Sequence, residues 1–120
     1  MRRIIITEEQ AAKILAEKQI PKEMTGISGR VAVVLTQSWC PQWSAMNAYL
    51  DRMQKDSKPE TEDLTVFSLC YDNLPFKGEF MSFKESVFSN DLIPFVLYYR
   101  DGKLINSSNY VSLSSFMELF

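Results

Sequence analysis

Histidine is absent from this sequence of 120 residues, and cysteine occurs only twice, as Cys40 and Cys70. Without an imidazole, neither a serine nor a cysteine nucleophile has a histidine to act as its general base. Two cysteines cannot build a disulfide framework, and they fall short of the four Cys or His ligands that usually fill a structural zinc site. Thiol redox chemistry is not excluded by these absences, and no metal or other cofactor is predicted.

Clusters of basic residues and long apolar runs are also missing. The net charge is −2, and the only adjacent basic residues are Arg2 and Arg3, which argues against nucleic-acid binding. The apolar stretch after Arg3 is too short for a signal peptide, and no run approaches the roughly 18 apolar residues of a membrane helix. We therefore expect a cytoplasmic protein that does not bind membranes.

The residues that are present describe a folded chain of one domain. Apolar residues make up 46% of the sequence and aromatic residues 12%, which excludes a disordered chain. A length of 120 residues fits one core, so we expect residues 1–120 to form a single domain. Oligomeric state is not readable from these features.

The first half of the chain has the pattern of an α/β fold. Residues 3–6 indicate a short strand, and Thr7 with Gln10 forms a capping-box pattern that opens a helix. The segment 19–30 lacks periodicity and is predicted to be a loop. Residues 31–35, Val-Ala-Val-Val-Leu, are the continuous apolar run of a strand buried on both faces.

The second half adds two helices, two strands of a hairpin and one further parallel strand. Residues 64–71 indicate that parallel strand, and Asp101-Gly102 between two apolar runs is a strong hairpin signal. We therefore predict a central mixed sheet, parallel first and ending in an antiparallel hairpin. Apolar positions at helical spacing give the expected apolar face of the helix after residue 40 and the inward residues of the helix that follows the parallel strand: Met46, Tyr49, Leu50, Met53, Phe80, Phe83, Val87 and Phe88. A last helix is expected to contain Leu113, Phe116 and Phe120.

Cys40 stands where the buried strand gives way to a helix. Unpaired backbone N–H groups and the positive end of the helix dipole lie at such a position, and both favour a negatively charged sulfur. Pro41 suits the first helical turn because a proline lacks the N–H that would have no partner there. We expect Cys40 to be an exposed, reactive thiol. Cys70, inside an apolar strand, is expected to be a core residue.

Residues 39–43, Trp-Cys-Pro-Gln-Trp, resemble the active-site segment of the thioredoxin family. Ile93-Pro94, followed by a strand and the hairpin turn, is similar to that family's cis-proline loop. The resemblance spans nearly the whole chain and implies a thioredoxin fold. It also implies a cis peptide bond at Pro94, which lies against Cys40 and leaves backbone free to pair with an extended substrate. The candidate substrate-binding residues are Trp39, Pro41, Trp43, Ile93 and Pro94.

The sequence also departs from the family pattern. Trp43 occupies the place of the second, resolving cysteine, so the site is monothiol. Release of a substrate from Cys40 then needs glutathione, another protein thiol, or Cys70. The family's buried acidic residue aligns with Val34 and its lysine partner with Ser68. The resemblance therefore implies a thiol–disulfide oxidoreductase acting on protein thiols or disulfides without the usual proton-transfer groups.

Two other functions stay open at this point. The first is a redox-inactive interaction module that retains the fold and holds a protein in the same groove, where Trp39 and Trp43 offer apolar surface. The second is a glutaredoxin-like role with glutathione or an iron–sulfur cluster, which Cys40-Pro41 favours. The absence of a Gly-Gly element after the Pro94 strand argues against that second function.

Overall fold

A mixed sheet covered by helices on both faces is the framework of this computed structural model, which describes all 120 residues, Met1 to Phe120. None of its helices combines the length and apolar character needed to cross a bilayer. The elements in chain order are β1 (Arg2–Ile5), α1 (Glu8–Glu17), α2 (Lys22–Thr25), β2 (Arg30–Thr36), α3 (Pro41–Asp56), β3 (Leu64–Cys70), α4 (Lys77–Val87), β4 (Phe95–Arg100), β5 (Lys103–Ser108) and α5 (Leu113–Glu118).

The sheet has the order β1-β3-β2-β4-β5, with β2 at its centre. Strands β1, β3 and β2 run parallel, and β4 and β5 continue antiparallel to β2 and to each other. Thr36 at the end of β2 is the register partner of Cys70 at the end of β3. The carboxyl ends of these two strands therefore meet at one edge, where ligands and catalytic groups of open α/β sheets are commonly found.

Alternation along the strands sends side chains to two separate cores. On one face, Val31, Val33 and Leu35 of β2 pack in a core with residues of α1 and α4. On the other face, Ala32 and Val34 pack in a core with residues of α3 and α5. Because β2 is covered on both faces, its residues from Val31 to Thr36 are all buried, as the continuous apolar run predicts.

Most of the predicted α/β architecture is confirmed. Thr7 and Gln10 form the predicted capping box, in which each side chain accepts a hydrogen bond from the other residue's backbone N–H. The buried face of α3 contains the predicted Met46, Tyr49, Leu50 and Met53. Asp101 and Gly102 form the two-residue turn between β4 and β5, both at positive φ.

Three predictions of local structure were wrong at least in part. The segment 19–30 contains the short helix α2, whose single turn is too brief to show periodicity in the sequence. Val87, predicted to face inward, is 45% exposed because α4 ends at this residue, beyond the edge of the core. The predicted last helix contains Leu113 and Phe116, but it ends at Glu118, before Phe120.

Candidate functional site

The candidate site lies where the chain leaves β2 and enters α3. Cys40 is the N-cap residue of α3, and Pro41 is the first helical residue, as predicted. The Cys40 N–H donates to the Gln37 carbonyl at 3.3 Å, which closes a turn between strand and helix. The Ser44 N–H donates to the Cys40 carbonyl at 3.1 Å and starts the helical pattern. The Cys40 side chain itself makes no capping hydrogen bond.

The turn before Cys40 is tied to the residues that follow β3. The Ser38 N–H and hydroxyl both donate to the Asp72 carboxylate, at 2.8 and 2.5 Å. The Gln37 amide donates to the Tyr71 hydroxyl at 3.2 Å, and its oxygen accepts from the Trp39 indole at 2.7 Å. These bonds join the carboxyl ends of the two parallel strands and fix the position from which Cys40 projects.

Asp72 is ionised at neutral pH in this arrangement. Burial disfavours its charged form, but the hydrogen bonds from Ser38, the hydrogen bond from its own backbone and the positive charge of Lys77 together outweigh burial, so the pKa of Asp72 lies below its usual value. The carboxylate therefore places a negative charge at this edge of the sheet, close enough to affect the thiol of Cys70.

The segment before β4 covers the Cys40 thiol. Cys40 Sγ donates a long hydrogen bond to the Ile93 carbonyl oxygen, with 3.9 Å between the two atoms. The peptide bond between Ile93 and Pro94 is cis, and Pro94 is buried. The structure thus brings together Cys40, Ile93 and Pro94, three of the candidate site residues, although they lie more than 50 residues apart in the chain.

The expectation that Cys40 is exposed was wrong, because only 5% of its surface is accessible. The cause is tertiary: Cys40 packs in the core between α3 and the sheet, and the Ile93 carbonyl lies against its sulfur. The expectation that Cys70 is a core residue holds only in part, because Cys70 packs against the core at its margin. Cys70 is the last residue of β3, where the strand leaves the core, and it is only partly buried.

Trp39 and Trp43 border two different grooves. Trp39 is 67% exposed and borders an open groove of about 440 Å³ together with Tyr71, Lys77 and Met81. Trp43 is buried in the core beneath α3, and its edge borders a second groove of about 550 Å³. The two tryptophans therefore do not form one surface, although both adjoin Cys40.

Cys70 opens into the second groove, beside Trp43. The groove is also bordered by Arg3, Asp51 and Asn73. Burial raises the pKa of the Cys70 thiol, the negative charge of Asp72 raises it further, and the Trp43 side chain partly offsets both. Trp43, at the place of the family's second cysteine, thus contacts the surroundings of a different thiol. Neither cysteine is in a disulfide.

No acidic residue lies beneath the thiol. Val34 and Ser68, which align with the family's acidic residue and lysine, are register partners on adjacent strands and are both buried. Thr36, two residues after Val34, is fully buried, and its hydroxyl has no hydrogen-bond partner. On the face of β2 against which Cys40 packs, the chain therefore has a hydroxyl group at Thr36 and no carboxylate.

Sequence reasoning missed a group of polar residues around the segment that covers Cys40. Lys84 is fully buried and donates to the Leu92 carbonyl at 2.5 Å. Asn109 donates to the Pro94 carbonyl at 3.1 Å and pairs with Asn90. One signal was visible in the sequence: Lys84 follows Phe80 by four residues and Phe83 by one, so it lies on the apolar face of α4.

Comparison with known proteins identifies the fold. The structure resembles a point mutant of thioredoxin from Halobacterium salinarum with a TM-score of 0.66 at 10% identity, covering 98% of this chain and 87% of that one. It resembles thioredoxin O1 from Arabidopsis thaliana in the oxidized state with a TM-score of 0.66 at 12% identity, covering 99% and 95%. For Fasciola hepatica thioredoxin the TM-score is 0.58 at 15% identity, with 98% and 94% covered.

No protein-family model and no curated protein matches the chain by sequence. The structural similarity nevertheless extends over almost the full length of the chain and of the thioredoxins. The protein therefore has a thioredoxin fold, as the resemblance of residues 39–43 and of Ile93-Pro94 implied.

Proposed function

We propose that this protein is a thiol–disulfide oxidoreductase of monothiol type, which forms mixed disulfides through Cys40. One observation carries the proposal: the end of a buried strand, the first turn of α3 and the Ile93 carbonyl, 3.9 Å from Sγ, meet at a single sulfur. Cys40 is the nucleophile, and Pro94 positions the substrate. Trp39 and Pro41 adjoin Cys40 in the chain, Trp43 packs in the same core and Ile93 lies against the sulfur, and these four residues contact the bound chain.

The chemistry needs only one protein thiol in its first step. The Cys40 thiolate attacks one sulfur of a substrate disulfide, a new S–S bond forms, and the other substrate sulfur leaves as a thiolate that takes up a proton. In the second step a glutathione thiolate attacks the substrate sulfur of the mixed disulfide, the S–S bond to Cys40 breaks, and the Cys40 sulfur leaves as a thiolate. The substrate is then released by a second glutathione, which forms oxidised glutathione with the first. Because Trp43 replaces the resolving cysteine, this second thiol comes from outside the site.

The partners we propose are protein thiols and disulfides, with glutathione as the reductant. The exposed indole of Trp39 beside its groove offers an apolar surface for the polypeptide that carries the disulfide. We propose the cytoplasm as the place of action, because glutathione and thioredoxin systems keep thiols reduced there.

A redox-inactive interaction module is the second candidate, and the burial of Cys40 favours it. With 5% of the residue accessible and no second cysteine at position 43, the thiol is not open to a disulfide in the conformation described. In this function the groove beside Trp39 holds a partner protein, and Cys40 only fills the start of α3.

Reduction of insulin, measured with and without glutathione, distinguishes the two functions. For the oxidoreductase we expect turnover only when glutathione is present, the same turnover in Cys70→Ser, and none in Cys40→Ser. Loss of turnover in Cys70→Ser as well would instead make Cys70 the resolving thiol. Absence of turnover in the unmodified protein under both conditions would reject the oxidoreductase and leave the interaction module.

A further inference from the structure

Lys84 of α4 is an unusual residue in this fold because it is charged and yet fully buried. Burial of an ammonium group is costly unless hydrogen bonds and charges compensate for the lost water. Lys84 forms no ion pair, and the nearby carboxylates of Glu85 and Asp91 lie on exposed residues. The groups that Lys84 contacts therefore indicate which part of the structure the buried side chain holds in place.

The Lys84 ammonium is held by the segment that leads to Pro94. It donates to the Leu92 carbonyl at 2.5 Å and to the Asn90 side-chain oxygen at 3.4 Å. It also lies 5.5 Å from the centre of the Phe95 ring, within the range of a cation–π interaction. One side chain on α4 thus contacts residues on both sides of the Ile93-Pro94 bond.

A second anchor holds the same segment from the other side. Asn109, which follows β5, exchanges two hydrogen bonds of 3.0 Å with Asn90 and donates to the Pro94 carbonyl at 3.1 Å. The Asn90 side chain also accepts from the Leu92 N–H at 3.0 Å. These bonds join α4, the 90–94 segment and the end of β5 in one connected polar network.

The network ends at the candidate nucleophile. The Ile93 carbonyl, which accepts from Cys40 Sγ, lies between the Leu92 carbonyl held by Lys84 and the Pro94 carbonyl held by Asn109. Because neighbouring peptide groups are held on both sides, the Ile93 carbonyl has little freedom to move away from the sulfur. The Ile93 carbonyl therefore contributes to the cover of Cys40, together with the core residues against which Cys40 packs.

We propose that Lys84 is a positioning residue, which fixes the 90–94 segment over Cys40 and thereby controls access to this thiol. The inference deepens the proposed function, on which it rests, because a thiol that is 5% accessible reacts only when its cover moves. Local opening of this segment is then the step that admits a disulfide, and Lys84 sets how often the segment opens.

Alkylation of Cys40 by iodoacetamide tests the inference in the native protein. In a Cys70→Ser background, we expect Lys84→Met to raise the alkylation rate of Cys40 about tenfold, because loss of a charge-assisted hydrogen bond increases the open population by roughly that factor. Methionine is chosen because it keeps much of the buried volume while removing all three donors. Asn109→Ala, which releases the Pro94 carbonyl, is expected to act in the same direction.

Two controls separate positioning from general loosening. Glu79→Met removes a charge from an exposed position of the same helix and should leave the Cys40 rate within about twofold, since Glu79 makes none of these bonds. In a Cys40→Ser background, Lys84→Met should leave the alkylation rate of Cys70 unchanged. An unchanged Cys40 rate in folded Lys84→Met, or equal acceleration of both thiols, would overturn the inference.

Failure to fold leaves the inference testable. If Lys84→Met does not fold, Asn109→Ala decides, and an unchanged Cys40 rate in that variant rejects the positioning of the segment. Alkylation needs no disulfide substrate, so its outcome is independent of insulin reduction. A protein without turnover can still show the acceleration, and an active protein can fail to show it.

Discussion

At the scale of single residues, the burial of the two cysteines differs from what the sequence predicts. Cys40 is buried although it begins a helix, and Cys70, at the end of an apolar strand, packs against the core but is only partly buried. The resemblance of Ile93-Pro94 to the thioredoxin cis-proline loop did imply which cysteine lies beside Pro94. It could not predict exposure, because exposure depends on the path of the 88–94 segment and on where β3 emerges from the core.

The charge on Asp72 provides a prediction about Cys70. Asp72→Asn removes a negative charge that raises the pKa of the Cys70 thiol, so this pKa should fall while burial still holds it above the ordinary value. The measurement is the rate of Cys70 alkylation against pH in a Cys40→Ser background, and its midpoint should shift to lower pH.

Asp51→Asn is the matched control for this shift. Asp51 borders the same groove as Cys70, but its charge is paired with Arg3 and does not contribute to the shift at Cys70. The same midpoint in Asp72→Asn as in the unmodified protein would contradict the assignment, and so would an equal shift in Asp51→Asn.

At the scale of elements, the sequence predicted best where one physical rule acts alone. The apolar face of α3 and the capping box of α1 follow from helical periodicity and from local hydrogen bonds, and both are present. On α4 the same periodicity was applied only to apolar residues. It therefore missed Lys84, which lies on the inward face as a buried cation, and it included Val87, which the helix end leaves exposed.

Two glycines in different elements should respond oppositely to alanine. Gly102 has φ of +80° in the β4–β5 turn, so Gly102→Ala should lower the free energy of unfolding by about 1 to 2 kcal/mol, the cost of a left-handed conformation for a residue with a Cβ. Gly78 lies in α4, where an added Cβ would meet no atom within 4 Å, so Gly78→Ala should raise stability by about 0.5 kcal/mol.

Urea unfolding of both variants measures these effects. The cost at Gly102 comes from the backbone alone, since the nearest atom to an added Cβ, in Gly26, lies 4.0 Å away. An unaffected midpoint in Gly102→Ala would show that the turn adopts another conformation in solution. A loss of stability in Gly78→Ala would place the start of α4 elsewhere.

At the scale of the whole molecule, strand composition and turn chemistry together predicted the mixed sheet. The buried run of β2, the Asp101-Gly102 turn and the resemblance to thioredoxin all lead to the same arrangement. The polar network of Lys84, Asn90 and Asn109 could not be predicted in this way. Its members lie on three parts of the chain, and only the folded arrangement shows that their side chains converge on one segment.

Two carboxylates that connect distant parts of the chain should make the whole fold sensitive to acid. Hydrogen bonds from Arg30 at the start of β2 lower the pKa of Asp63. At the other end of the sheet, hydrogen bonds that include those from Ser38 lower the pKa of Asp72, although burial acts in the opposite direction. Each unfolded carboxyl has an ordinary pKa of 3.8. Between that value and the lower folded pKa, the unfolded state binds more protons than the folded state.

The contribution of Asp63 and Asp72 to the free energy of unfolding should therefore be constant near neutral pH. It should fall as the pH drops below about 4 to 5 and then through the folded pKa values. Urea unfolding between about pH 2 and about pH 7 brackets both protonation states and measures this dependence. Asp63→Asn and Asp72→Asn should each be less stable at neutral pH and show a shallower loss in acid. Asp56→Asn, at an exposed carboxylate without an ion pair, should retain the full slope. If Asp63→Asn retains that slope as well, the ion pair between Asp63 and Arg30 does not contribute to the acid sensitivity. The loss of stability in acid then comes from other carboxyl groups.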